Sequence, residues 1–252
     1  MPFFDAAGIN LHYLEQGKGT PVMLIHSMAS NLGHSWVESG WIEHLCPRFR
    51  TIALDCRGHG LSAKSYDPDF YTADAMADDV ARLLDHLDVA RTLVAGYSMG
   101  ACVALNLAIR YRERVRAMVI GGVSSRAYKV PPREELERLV EVLRADDIAS
   151  HTDRAALFMR SFCIKNGNDP KALAAFSLHR RPDVEQNQLG SIRAPVLIAA
   201  GTRDAIVQGV DELAASIPGA KIITLEGRTH LDALADPLFK QAAAEFFDAA
   251  PK

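Results

Sequence analysis

The chain has 252 residues, 48% of them hydrophobic and 23% charged, which suits one large α/β domain with an insertion better than two independent domains. Its 28 basic residues stand against 31 acidic ones for a net charge of −3, so nothing in the balance favours nucleic acid or anionic lipid as a partner. No apolar run approaches the ~20 residues of a membrane span, the start shows no basic stretch leading into an apolar one, and the four cysteines form no C-x-x-C pair; a cytoplasmic protein with reduced core thiols is the expectation.

Residues 3–5 and 9–15 alternate as two strands joined by a turn at Ala6-Ala7-Gly8. Pro21-Val22-Met23-Leu24-Ile25 is a continuous apolar run, the pattern of a central parallel strand covered on both faces. It leads into His26-Ser27-Met28-Ala29-Ser30-Asn31, and a helix is expected within 36–45. Thr51-Ile52-Ala53-Leu54-Asp55 is the next buried strand, followed by Cys56-Arg57-Gly58-His59-Gly60-Leu61-Ser62. Thr72 can cap a helix over 73–87, whose Met76, Val80, Leu83, Leu84 and Leu87 form an apolar stripe.

The five residues Gly96-Tyr97-Ser98-Met99-Gly100 lie between an apolar strand, 92–95, and an apolar helix beginning at Ala101. A serine between two glycines at such a junction is the G-x-S-x-G nucleophile elbow. The tight turn exposes Ser98 Oγ at the strand's carboxyl end and frees the N–H of Met99 to stabilise an oxyanion.

A strand over 115–123 follows, and then strand signals stop. Between about 124 and 188 the chain reads as charged helices at 133–144, 152–163 and 170–178. Strand and helix then alternate again, with strands at 195–201 and 221–225 and helices at 210–217 and 237–247. The expected architecture is a mostly parallel eight-stranded α/β sheet flanked by helices, with a core of 1–123 and 189–252 and a helical cap of 124–188.

In an open parallel sheet, reactive groups gather at the carboxyl ends of the strands. Gly201-Thr202-Arg203-Asp204 offers a carboxylate there, Glu226-Gly227-Arg228-Thr229-His230 a base, and His26-Ser27-Met28 a backbone N–H at Met28. A serine hydroxyl needs a neighbouring base, and that histidine needs a carboxylate to fix its tautomer. Asp204 is the natural carboxylate, and Asp55, which also ends a strand, is a second candidate. The chain order Ser98, Asp204, His230 is that of the elbow fold and differs from the orders of the unrelated serine proteases.

On these motifs the chain resembles the α/β-hydrolase-fold family over nearly its whole length, most specifically at Asp55-Cys56-Arg57-Gly58-His59-Gly60-Leu61-Ser62, the elbow, and the segment 201–207 with His230 behind it. The resemblance implies oxyanion donors at Met28 and Met99. It makes Asp55 and the His59 loop structural, and His26 a prop for the oxyanion loop. Two departures stand out: Ser27 where the family often has glycine, and Thr229 where glycine commonly precedes the histidine.

The remaining histidines of the nine, His12, His34, His44, His86, His151 and His179, default to surface or cap roles. Neither a metal-ligand cluster nor a phosphate loop is present in the motifs. The expected reaction is cofactor-free hydrolysis of a small carboxylic ester or lactone. The alternatives are carbon–carbon hydrolysis of ring-cleavage products, a perhydrolase side reaction, or a ligand-binding receptor of the same fold. Haloalkane dehalogenases and epoxide hydrolases are similar but carry aspartate at the elbow. Substrate choice falls to the cap, where Leu157, Phe158, Phe162, Phe176 and Leu178 are read as cap core ahead of pocket lining.

Overall fold

The computed structural model describes residues 2–129, 132–178 and 184–251. Eight strands form one sheet: β1 (Phe3–Asp5), β2 (Asn10–Gln16), β3 (Thr20–Ile25), β4 (Phe49–Leu54), β5 (Thr92–Tyr97), β6 (Val115–Gly121), β7 (Val196–Gly201) and β8 (Lys221–Leu225). They lie in the order β1-β2-β4-β3-β5-β6-β7-β8. β2 is antiparallel to β1 and β4, and every other pairing is parallel.

The continuous apolar runs are explained by the two layers they face. Met23 and Ile25 of β3, with Met118 and Ile120 of β6, join one buried cluster. Val22 and Leu24 of β3, with Ala117 and Val119 of β6, join the other. The first face is covered by α2 (Ala73–His86) and α3 (Met99–Arg110), the second by α1 (Trp41–Leu45) and the closing helix near the C-terminus. With apolar cover on both sides, no polar alternation is possible in the central strands.

α1 fills only the second half of the segment expected to be helical. Gly33–Glu38 is a wide turn of π-helical geometry, and Gly40, at φ +79°, breaks the chain before Trp41. β6 ends two residues early because Gly122 turns at φ +62° and carries Val123 and Ser124 out of the sheet. Thr72 caps α2 as expected, accepting from the N–H of Ala75 at 3.1 Å.

The helical cap follows β6 with α4 (Arg133–Arg144), α5 (Arg154–Lys165), α6 (Pro170–Ser177) and the short α7 (Gln186–Leu189). α5 starts two residues later than its apolar pattern suggests, because Asp153 accepts from the N–H groups of Ala155 and Ala156 at 3.0 Å each. The core resumes with β7, α8 (Val210–Ser216), β8 and α9 (Pro237–Asp248).

Two buried side-chain pairs that no local pattern announces tie the loops together. Arg57 donates Nε and Nη2 to Asp79 at 2.7 Å each, fastening the 55–62 loop to α2. His12, expected at the surface, is 2% exposed and donates Nδ1–H to Asp55 Oδ2 at 2.7 Å. Its strand β2 pairs with β4, which delivers Asp55 to it from the end of that strand. Among the described residues no helix is long and apolar enough to cross a membrane.

Candidate active site

Ser98 sits between β5 and α3 at φ 54°, ψ −115°, a conformation few non-glycine residues adopt. The two flanking glycines are there for contact. A Cβ on Gly96 would lie 2.4 Å from the carbonyl oxygen of Gly100, and one on Gly100 would lie 1.9 Å from that of Ile25. Ser98 is pinned by its N–H, which donates to the oxygen of Gly121 at 2.8 Å.

The loops after β7 and β8 bring two further groups to this point. Ser98 Oγ donates to His230 Nε2 at 3.1 Å, and His230 Nδ1–H donates to Asp204 Oδ2 at 2.8 Å. A carboxylate can only accept, so it holds the imidazole proton on Nδ1 and leaves Nε2 facing the hydroxyl. The Asp204 side chain is almost fully buried, and Oδ1 accepts from the N–H groups of Ile206 and Val207 at 3.0 and 3.2 Å. Tyr97, beside Ser98, donates its hydroxyl to the main-chain oxygen of His230 at 2.8 Å. Thr229 substitutes for glycine without strain: its N–H and hydroxyl both donate to Asp232 Oδ1, closing the turn that presents His230.

Met28, Ser98 and Met99 line one mostly apolar cavity of about 300 Å³. Met99 opens α3, so its N–H has no acceptor one turn back. Among the described residues no acceptor takes the N–H of Met28 either. The other walls come from α2 and α3 (Met76, Val103), the turn after β6 (Val123) and the cap (Leu136, Leu139, Phe176).

The competing candidates are committed elsewhere. Asp55 Oδ1 accepts from Leu32 N–H at 2.7 Å, and Oδ2 accepts from Leu61 N–H at 3.0 Å and from His12. His26 donates Nδ1–H to the oxygen of Ser27 at 2.8 Å and accepts from the N–H of Cys56 at 3.0 Å, so it props the loop that carries Met28. Burial holds its pKa below the usual histidine value. His59 is buried too, and desolvation, reinforced by His26, pushes its pKa down to about 3. His151 is absent from the described cavity wall, and His179 lies outside the described residues.

Of the cap side chains singled out in the sequence, Phe176 reaches the cavity. Phe158 does neither of the expected jobs: it is 49% exposed and stacks on Phe162. Phe162 packs edge-on against His34, and both it and Leu178 border the cap's own apolar cluster. Leu136 and Leu139 carry the lining role instead. They lie three residues apart on α4, a spacing that fits a buried stripe as well as a pocket wall. All four cysteines are free, and burial pushes the Cys163 thiol up to about 12.

The profile of the α/β hydrolase fold family matches residues 20–147. A hydrolase from Pseudomonas aeruginosa is 28% identical, with 98% of each chain aligned and a TM-score of 0.81. A thermophilic esterase from Thermogutta terrifontis is 26% identical at a TM-score of 0.77, over 98% of this chain and 96% of that one. A protein of Azorhizobium caulinodans, named provisionally as the carbamate hydrolase RutD, is 28% identical over 91% of each chain.

Proposed function

The chain belongs to the α/β-hydrolase fold family, and on that footing we propose that it is a serine hydrolase cleaving small carboxylic esters or lactones through an acyl-enzyme on Ser98. The observation that carries this reading is the continuous relay from Ser98 Oγ through His230 to Asp204, opening on a cavity that Met28 and Met99 also line.

Ser98 Oγ attacks the acyl carbon while His230 Nε2 takes its proton, and Asp204 stabilises the imidazolium that forms. The carbonyl oxygen, now negative, is held by the N–H groups of Met28 and Met99, which stand ready without reorganisation. As the tetrahedral adduct collapses, His230 returns the proton to the departing alcohol oxygen. A water then gives its proton to the same nitrogen and attacks the acyl carbon, releasing the acid and restoring Ser98. The chemistry calls for no metal or cofactor, and the partner is a small molecule. Free, largely buried thiols suit a reducing compartment. The helical cap, roughly residues 124–188, closes the pocket and sizes the acyl group.

The test is labelling with a fluorophosphonate and turnover of aryl esters of rising acyl length. Ser98→Ala should abolish both, and Asp204→Asn should lower kcat by about 10³-fold or more while the protein stays folded. A folded native protein that neither labels nor turns over would overturn the reading and bring a receptor role forward. Turnover confined to vinylogous diketones would redirect it to carbon–carbon hydrolysis.

A further inference from the structure

Met28 sits in a loop with no glycine and with Ala29 at φ +59°, and the core alone does not hold it. His26 anchors the start, and Ser30 N–H closes a turn onto the oxygen of Ser27 at 3.2 Å. Asp55 holds the loop's end through the N–H of Leu32 at 2.7 Å, and the supports between these two anchors include several from the cap. Asn168, in the loop between α5 and α6, is 7% exposed and commits all of its amide to this region. Nδ2 donates to the oxygens of Ala29 at 2.8 Å and Ser30 at 3.0 Å, and Oδ1 accepts from the N–H of Gly60 at 2.7 Å. The three partners fix the amide's orientation, since a flipped amide would set its oxygen against two carbonyls. Asn31 adds a second link in the same place, donating Nδ2–H to the oxygen of Asn166 at 2.8 Å. Ala29 is itself a fully buried member of the cap's apolar cluster, and Met28 packs against that cluster.

We propose that Asn168 is a positioning residue for the oxyanion donor: the cap fixes the Met28 N–H through Asn168, so cap docking and oxyanion stabilisation are one event. The proposal rests on Ser98 being the nucleophile. The Met28 N–H belongs to the Ser27–Met28 peptide, whose oxygen accepts from His26 Nδ1–H and from the Ser30 N–H. Asn168 holds two later carbonyls of the same turn, those of Ala29 and Ser30, so that losing Asn168 frees the turn beside the cavity that Met28 shares with Ser98. A donor misplaced by a fraction of an ångström keeps substrate affinity and loses transition-state stabilisation.

The test compares wild type with Asn168→Ala and with Asn168→Asp, which retains the volume and the acceptor for Gly60 but removes both donors. Tyr66→Phe, which deletes an exposed hydrogen bond from Tyr66 to Asp169 in the same cap loop, is the control. In the folded Asn168 variants, kcat for aryl esters should fall about 10- to 100-fold with KM within about twofold. Inhibition by phenylboronic acid, which forms a tetrahedral adduct on the serine, should weaken in parallel. Amide hydrogen exchange over 26–32 should quicken, and Tyr66→Phe should change none of these. In wild type, binding of phenylboronic acid should slow exchange both at 26–32 and at 166–169, since coupling between two sites is reciprocal; this holds whatever the variants' folding.

A folded Asn168→Asp variant with unchanged kcat, or with only KM raised, would overturn the proposal, as would boronate protection confined to 26–32. An active wild type beside an equally active variant would remove this inference alone. A wild type that neither labels nor turns over would remove the serine-hydrolase reading and this inference with it.

Discussion

The hydroxyl of Tyr97 reaches across 2.8 Å to the main-chain oxygen of His230, so the residue before Ser98 holds the loop that carries His230. Tyr97 is 2% exposed, and burial, followed by the nearby Asp204 charge, raises its pKa, keeping the hydroxyl a donor. Tyr97→Phe should therefore cost about 1 kcal/mol of stability and lower kcat severalfold with KM unchanged. Denaturant unfolding and ester kinetics on the same preparation check both. An unchanged kcat would mean that the loop is held without this bond.

The contact between Gly100 and Ile25 predicts a stability effect. A methyl group on Gly100 would stand 1.9 Å from the Ile25 oxygen, between a buried strand and a buried helix. Gly100→Ala should destabilise by about 3 kcal/mol or more, or leave no folded protein. A variant with native-like urea unfolding would show that α3 can move away from β3.

His59 supplies a pH dependence of stability. Its folded pKa lies at about 3, against ~6.5 in an unfolded chain, so the unfolded state binds the proton first as pH falls. Stability is fully present above about pH 6.5 and declines through the window down to about 3. His26, lowered for the same reason of burial, acts in the same direction. Between pH 7.5 and pH 5, His59 alone should remove about 2 kcal/mol. Urea unfolding at both pH values should show that loss in wild type and a correspondingly smaller one in His59→Asn. Equal pH dependence in the two proteins would contradict the assignment.

Phe176 predicts selectivity. It lines the cavity from the cap side, and truncation lengthens the space open to an acyl chain. For Phe176→Ala, the ratio of kcat/KM for octanoyl over acetyl aryl esters should rise by about tenfold. Phe158→Ala, by contrast, should leave that ratio alone, because Phe158 points away into solvent.

The parts of this molecule that could be read from residues alone are those where local chemistry and chain order coincide. Gly96 to Gly100 needs its glycines for two close packing contacts, and that need is written in five consecutive residues. Ser98, Asp204 and His230 come together because strands in a parallel sheet deliver their ends to one edge. Asn168 was invisible because Asn166-Gly167-Asn168-Asp169 has the chemistry of any turn. Its role comes from partners more than 100 residues away. His12 and Asp79 were missed for a related reason. A titratable residue on a half-buried strand or helix reads as surface until its hydrogen-bond partner is seen, and Asp55 and Arg57 lie distant in sequence. Phe158 misled in the opposite sense, an aromatic at a helical position that faces out.

The strand order has a further consequence. Ser98 hangs from β5, between β3 and β6 in the middle of the sheet, whereas Asp204 and His230 hang from β7 and β8, which end it. β8 is bordered on one side alone, and much of it is exposed. Openings that begin at a border need far less energy than opening the middle. Warming should therefore part His230 from Ser98 while the remaining strands stay packed. Activity would then fade at a temperature where circular dichroism still reports an intact protein: the catalyst would have a lower melting point than the fold that holds it.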